Sequence, residues 1–358
     1  MIPAAFEYVR AESAEEAISL IGEHGDESKF LAGGHSLIPL MKLRLAQPTV
    51  LIDIGRLDDL SYIREDGDVI AIGALTRHMD VETSDLLHQH VPLLAHAASH
   101  VGDPQVRHRG TIGGSIAHSD SASDLPATTL ALGATYVAQG PNGTREIPAG
   151  DFYKGFLTTD LAADEMLTEI RVPKMQGAGW SFQKFNRRAQ DWAIVGVAAW
   201  RRNGDSGVGL VNMGSVPILA SGVSSALSSG ASIEDAAEQA AEGADPTADL
   251  NASVEYRQHL ARVLTRRALE EASANGSLPP TAGPGSPGAG RRASGVVSHD
   301  DGATIRWRGP PPARRGGGVG RCRDSSARSS SRAVRRRSTA GGCWPCRRPR
   351  HRSLPHSP

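Results

Sequence analysis

The stretch Thr111-Ile112-Gly113-Gly114-Ser115, continued by Ile116-Ala117-His118-Ser119-Asp120-Ser121-Ala122-Ser123-Asp124-Leu125-Pro126, decides how the rest of the chain is read. Paired glycines present two successive peptide units without a Cβ, and the hydroxyl side chains beside them add donors to the backbone amides. Such a composition suits a phosphate. An earlier stretch, Ala32-Gly33-Gly34-His35-Ser36-Leu37, repeats the design, so two glycine turns are available to one polyanionic ligand.

Around the first turn the residues read as a strand-turn-helix-strand unit. Ser13-Ala14-Glu15-Glu16 is a capping box ahead of Ala17, Ile18, Leu20 and Ile21, and Gly25 is the stop, which predicts a helix over 14–24. Residues 29–32 read as a short buried strand running into Gly33-Gly34. Ser36 then caps a helix carrying Leu37, Leu40, Met41 and Leu45, with Pro39 in its first turn, and 50–54 is the closing strand. Gly33 and Gly34 thereby fall at a helix N-terminus, where unpaired amides and the positive end of the dipole favour anions.

Further along, 69–72 is a strand, 92–100 a helix stopped by Gly102, and 125–132 a helix capped by Ser123 or Asp124. Residues 135–138 and 145–147 flank Pro141-Asn142-Gly143, a hairpin signature. A loop over 152–156 precedes a strand at 166–172, and 173–179 reads as a joint between domains. Three strands follow at 180–185, 193–200 and 207–213, then helices at 232–241 and 253–271. The last of these is expected to bury Val254, Leu260, Val263, Leu264 and Ala268.

Composition divides the chain in two. Of its 358 residues, 39% are apolar, enough for real cores, and its net charge is zero. That zero hides an asymmetry: residues 275–358 hold 17 Arg, no Lys and 3 acids, while residues 1–274 hold 22 basic and 36 acidic side chains. The tail also holds 11 of the 22 prolines and Cys322, Cys343 and Cys346, which leaves residues 1–274 free of cysteine. Its Pro/Gly/Ser/Arg character predicts disorder from 274 onward, with a translation frame shifted in GC-rich sequence favoured over a nucleic-acid-binding arm. Cys343-Trp344-Pro345-Cys346 has redox spacing without the strand and helix that give it meaning. Residues 1–10 lack a signal-peptide apolar segment, and no apolar run approaches the roughly 20 residues of a membrane span. The expected location is cytoplasmic, or peripheral at the inner face of the membrane.

The common nucleotide motifs are missing. There is no Walker A run, no G-x-G-x-x-G leading from strand to helix and no G-x-S-x-G elbow. His96 and His100, four apart on a helix, read as solvated or capping histidines rather than a metal site. His118, Asp120 and Asp124 follow the second turn, where Asp120 and Asp124 can accept from ligand hydroxyls.

Residues 32–37 and 111–126, together with Asp191-Trp192, resemble the flavoprotein subunits of molybdenum hydroxylases, above all those of the aerobic carbon monoxide dehydrogenase type within the xanthine dehydrogenase group. Met41-Lys42-Leu43-Arg44-Leu45, Val101-Gly102-Asp103-Pro104-Gln105-Val106-Arg107 and Leu167-Thr168-Glu169-Ile170-Arg171-Val172-Pro173 extend the resemblance over residues 1 to about 272. It implies an α+β fold: a two-part FAD-binding domain of the vanillyl-alcohol-oxidase type (1–56 and 57–176), then a C-terminal domain with a three-stranded antiparallel sheet and helices (177–273).

It further implies that FAD lies between the first two parts. Its pyrophosphate is expected on the backbone of Ala32, Gly33, Gly34, His35, Ser36 and Leu37 and of Thr111, Gly113, Gly114 and Ser115. His118 and Asp120 are expected beside it, Asp124 on its hydroxyls and Trp192 against the isoalloxazine, where many relatives carry Tyr or Phe.

By the same resemblance, electrons reach FAD from a small subunit with two [2Fe-2S] clusters and leave to an external acceptor. A large molybdopterin subunit oxidises the substrate, and the trimer is doubled. No substrate acid or base, no metal ligand and no nucleic-acid partner are expected on this chain. A self-sufficient flavin oxidase on the same scaffold and nucleic-acid binding through the tail are the competing readings.

Overall fold

Ser13 opens the first helix, α1 (Ala14–His24), by accepting from the Glu16 amide at 3.1 Å, while the Glu16 carboxylate reaches back to the Glu12 amide at 2.7 Å. Ala14, Ala17, Ile18 and Ile21 form its buried stripe, the spacing of one helix face. They share a hydrophobic core with Val50 and Ile52. In this computed structural model, which describes residues 2–276, the helix covers a parallel sheet of β1 (Glu7–Arg10), β2 (Ser28–Leu31) and β3 (Val50–Asp53), in the order β1-β3-β2. The first strand has no counterpart in the sequence-based reading, because it is short, mostly exposed and lacks an apolar alternation. Between β2 and β3 run the first glycine turn and α2 (Leu37–Lys42).

A second sheet begins with β4 (Ile63–Asp66) and β5 (Val69–Gly73). Six helices follow: α3 (His78–Thr83), α4 (Asp85–His90), α5 (Pro92–Ser99), α6 (Pro104–Arg109), α7 (Ile112–His118) and α8 (Asp124–Ala131). The hairpin β6 (Thr135–Gly140) and β7 (Gly143–Pro148) forms as its turn residues predict. The expected loop over 152–156 is instead the short helix α9 (Ala149–Phe152) and the hairpin β8 (Tyr153–Gly155) and β9 (Thr158–Thr159). Then β10 (Met166–Pro173) enters the centre of an antiparallel sheet ordered β4-β5-β10-β6-β7. Neither Ser123 nor Asp124 caps α8 with its side chain, contrary to expectation.

The third sheet holds the three expected strands, β11 (Gly179–Phe185), β12 (Val195–Arg202) and β13 (Asp205–Val211), and a two-residue edge strand, β14 (Ile218–Leu219). Helices α10 (Ser221–Ser228) and α12 (Val254–Asn275) pack on it, and α11 (Ile233–Glu238) packs against both of them. Of the residues expected on the buried face of α12, Leu260, Leu264 and Ala268 are buried, joined by Ala261, Leu269 and Ala272, while Val254 and Val263 are half-buried. A core led by Ile70, Ile72 and Leu125 takes in Phe182, Ala198 and Val211, so the second and third sheets share one apolar interior. The parts of the tail from 277 onward, including its cysteines, lie outside the described residues.

Where β11 begins, a Cβ on Gly179 would stand 1.7 Å from the Ala272 carbonyl oxygen, backbone against backbone. Gly179→Ala is therefore expected to lower stability by about 2–3 kcal/mol, the range of unrelieved overpacking. Chemical denaturation checks this; a variant as stable as the parent would show that α12 shifts freely over the sheet.

Candidate functional site

The chain leaves β2 into Ala32-Gly33-Gly34-His35-Ser36, and Gly34 takes a left-handed conformation with φ 76°. The first turn lies directly on another stretch of backbone, because a Cβ on Gly33 would meet Arg109 O at 2.3 Å and Gly110 Cα at 2.8 Å. Ser36, expected to cap α2, makes no side-chain cap bond. Among the described residues, no carbonyl takes up the amides of Gly33, Gly34, His35 or Ser36. His35 and Ser36 are exposed, and both glycines are half-buried. With only six residues in α2, the unspent amides matter more here than any helix dipole.

The second turn is built differently. Thr111 caps α7, its Oγ1 accepting from the Gly114 amide at 3.1 Å. The three amides of Ile112, Gly113 and Ser115 are also spent within the chain: Ile112 N on Thr76 O (3.0 Å), Gly113 N on Ala74 O (2.9 Å) and Ser115 N on Thr111 O (3.0 Å). Gly113 is needed for space, since its Cβ would stand 2.5 Å from Ala74 Cβ. Gly114 and Ala117 are exposed on the same helix, and a Cβ on Gly114 would come within 4.0 Å of Ala32 Cβ. The two turns thus meet. One offers free donors and the other a bare helical edge beside them.

Beyond α7 the candidate residues diverge. His118 is half-buried, and burial draws its imidazole pKa down. Asp120 Oδ1 accepts from the Ala122 amide at 2.9 Å in a local turn. Asp124 is buried at 4% exposure, and its Oδ2 accepts from Lys184 Nζ at 2.7 Å. Lys184 also donates to His100 O at 2.8 Å. Burial raises the Asp124 pKa, with the Lys184 charge opposing, and Oδ1 stays buried without a hydrogen-bond partner. The protein closes that oxygen off from solvent, and the carboxylate serves the pair with Lys184.

Trp192 is 72% exposed, on the loop between β11 and β12. The root of that loop is held firmly. Ile194 N donates to Phe185 O at 2.7 Å, the buried Arg257 donates to Ile194 O, and Asn212 Nδ2 donates to Ala193 O at 2.8 Å. Asn212, left-handed at φ 61°, donates its own amide to Ser121 O at 2.7 Å and so ties the Trp192 loop to the segment after the second turn. His96 and His100 pack ring to ring at 4.7 Å, against Trp180 and Phe182 respectively. Among the described residues, no three His, Cys, Asp or Glu side chains converge as a metal site.

Lys184, Arg77 and Asn212 have no place in the sequence-based reading. A lone cation or amide inside a strand, or at its exit, carries no local signal, and only the tertiary fold brings Lys184 to Asp124, Asn212 to Ser121, and Arg77 to Arg109 O and Gly55 O. The Asp124–Lys184 pair yields a test with a defined sign. Removing Lys184 leaves a buried carboxylate uncompensated, which costs about 3 kcal/mol or more. In Lys184→Met the Asp124 pKa rises further above its unfolded value. The folded state then holds the extra proton, so stability is retained below the unfolded pKa and lost as pH rises through the folded one. The deficit against the parent is expected to grow as pH rises above the unfolded carboxylate range of about 4 in denaturation measurements; a deficit independent of pH would show that the pair is not ionised.

Two family models cover most of the described fold. Residues 4–175 match the FAD binding domain in molybdopterin dehydrogenase, and residues 180–272 match the CO dehydrogenase flavoprotein C-terminal domain. The carbon monoxide dehydrogenase medium chain of Hydrogenophaga pseudoflava is 48% identical over 208 residues, 58% of this chain and 72% of that one. The carbon monoxide dehydrogenase medium chain of Afipia carboxidovorans is 37% identical over 284 residues, 76% of this chain and 99% of that one. Among solved structures, carbon monoxide dehydrogenase from Hydrogenophaga pseudoflava lacking the Mo-pyranopterin moiety of its cofactor is similar with a TM-score of 0.75. It is 41% identical and covers 77% of this chain and 99% of that one. Matched along both halves of its described fold, the chain belongs to the FAD-binding flavoprotein subunits of molybdenum hydroxylases, the family of the carbon monoxide dehydrogenase medium chain, and FAD is its cofactor.

Proposed function

We propose that this chain is the electron-transfer flavoprotein of a three-subunit molybdenum hydroxylase, with FAD held where the two glycine turns meet. The observation that carries this reading is the run of unspent amides from Gly33 to Ser36, set on the Arg109–Gly110 backbone in a contact that excludes any side chain on Gly33. Free amides beside a side-chain-free surface suit a diphosphate. Bound FAD supplies redox chemistry between the iron-sulfur clusters of a small partner subunit and an external acceptor.

The roles of the residues follow from their surroundings. Gly33, Gly34, His35 and Ser36 donate backbone amides, while Ala32 and Leu37 frame the turn. Thr111, Gly113, Gly114 and Ser115 shape the facing edge, with Thr111 and Gly113 fixing it to the protein and Gly114 leaving it bare. His118 and Asp120 border it. Asp124, buried in its pair with Lys184, reaches a ligand hydroxyl only where that seam opens, and Trp192 supplies an exposed aromatic plate. We assign 1–56 and 57–176 as the two FAD-binding subdomains and 177–273 as the C-terminal domain. Substrate oxidation belongs to a large molybdopterin subunit, and the heterotrimer is doubled. Among the described residues no helix is long and apolar enough to cross a membrane.

Two measurements test the reading. Gly33 has no left-handed φ, so Gly33→Ala asks only for space. An overlap worth roughly 1–3 kcal/mol is expected to weaken FAD binding by about 10- to 100-fold; unchanged affinity in fluorescence titration would place the diphosphate elsewhere. Native purification through this chain is expected to bring down one protein with [2Fe-2S] spectra and one with molybdopterin, and substrate should bleach flavin absorption only in that complex. A chain that turns over substrate by itself would favour a self-sufficient flavin oxidase.

A further inference from the structure

Arg77 stands where both turns are joined to the rest of the protein. Its backbone forms an isolated antiparallel bridge with Thr111, flanked by His78 N donating to Gly110 O and Ile112 N donating to Thr76 O, each at 3.0 Å. Its side chain reaches the other way. Nη1 donates to Arg109 O at 2.6 Å and Nη2 to Gly55 O at 3.2 Å. These carbonyls belong to the two segments that grip the first turn: Arg109 O lies under Gly33, and a Cβ on Gly55 would meet Ala32 O at 3.1 Å.

Two of those contacts have electrostatic weight. A carbonyl oxygen pressed against an anion-binding turn repels the anion unless its dipole is engaged, and Arg109 O is so engaged by a guanidinium. Burial first, and then the neighbouring Arg109, draw the Arg77 pKa down, with Asp80, Asp53 and Asp58 opposing, and among the described residues no carboxylate forms an ion pair with it. A lysine would keep the charge, but one ammonium on a flexible stem does not present the planar fork that spans two fixed carbonyls.

We propose that Arg77 is a positioning residue for the diphosphate of FAD: it pins the two glycine turns together through Arg109 O and Gly55 O and keeps an unneutralised cation beneath them. This rests on the assignment of the turns as the diphosphate site. No motif or spacing in the sequence marks Arg77 for this role; the juxtaposition of Gly55, Arg77, Arg109 and Thr111 does.

The test uses the full chain, purified, stripped of flavin and titrated with FAD by quenching of flavin fluorescence at several salt concentrations. Arg77→Met is expected to weaken FAD binding at least tenfold and to flatten its salt dependence, since one screened attraction is gone. Arg77→Lys is expected to keep the parent's salt dependence yet recover the affinity only in part. Thermal melting of the flavin-free proteins reports the fold separately. Affinity and salt dependence within twofold of the parent in a folded Arg77→Met overturn the proposal. Should Arg77→Met fail to fold, Arg77→Lys decides alone, and parental affinity there overturns the two-carbonyl fork. Gly33→Ala separates the levels: parental affinity in that variant sinks the diphosphate site itself, whereas loss there with Arg77 variants unaffected sinks only the role of Arg77.

Discussion

The contact on which the site depends is one of backbone with backbone, in which Gly33 lies so close to Arg109 and Gly110 that a methyl group does not fit. Everything nearby serves that approach. Gly110 is itself crowded, since its Cβ would stand 2.6 Å from the buried imidazole of His78, which burial holds neutral with a pKa near 4. Gly113 presses on Ala74. A chain of side-chain-free positions thus carries the first sheet's turn onto the helices of the second, and the amides left over at Gly33 to Ser36 result from a loop held too tightly to satisfy itself. At the half-buried Gly33 and Gly34, amides without a protein partner are costly until an acceptor meets them.

The second organising element is charge. Asp124 and Lys184 are each 5% exposed at the side chain, and their pairing joins the first residue of α8 to β11. Buried pairs seldom add much net stability, but breaking one is expensive, so the pair specifies how the third sheet docks more than how strongly it does so. The same seam carries Trp200 Nε1 on Ala131 O at 2.7 Å, and the β13 glycines Gly207 and Gly209, whose Cβ atoms would stand 2.2 Å from Ala131 O and 2.1 Å from Ala127 O.

Much of this was legible in the residues where local chemistry is decisive. The capping box at Ser13, the Asn142-Gly143 turn and the apolar run of β10 each dictate a local structure that tertiary contacts merely accept. The glycine turns announce themselves as well, but not the difference between them: whether an amide is free depends on Ala74 O and Thr76 O, 39 and 36 residues from the amides they take up and unmarked. The α7 helix is hidden for a related reason, since Gly113 and Gly114 are poor helix formers and only the Thr111 cap and the fit against Ala74 compensate. Lys184 sits in Phe182-Gln183-Lys184-Phe185, where nothing local distinguishes it from a solvated strand cation.

The bond from Asn212 to both Ser121 and Ala193 has a consequence for how such chains are exchanged in evolution or in the laboratory. The joint at 173–179 invites recombination there, since it separates two family-sized blocks of sequence. A crossover at that point would nonetheless inherit Ser121 and Asp124 from one parent and Asn212 and Lys184 from the other. The Asn212–Ser121 bond joins backbone to backbone and tolerates a change of side chain, but a hybrid keeps the buried ion pair only if its parents agree at Asp124 and Lys184, so the heritable unit is the pair of blocks together.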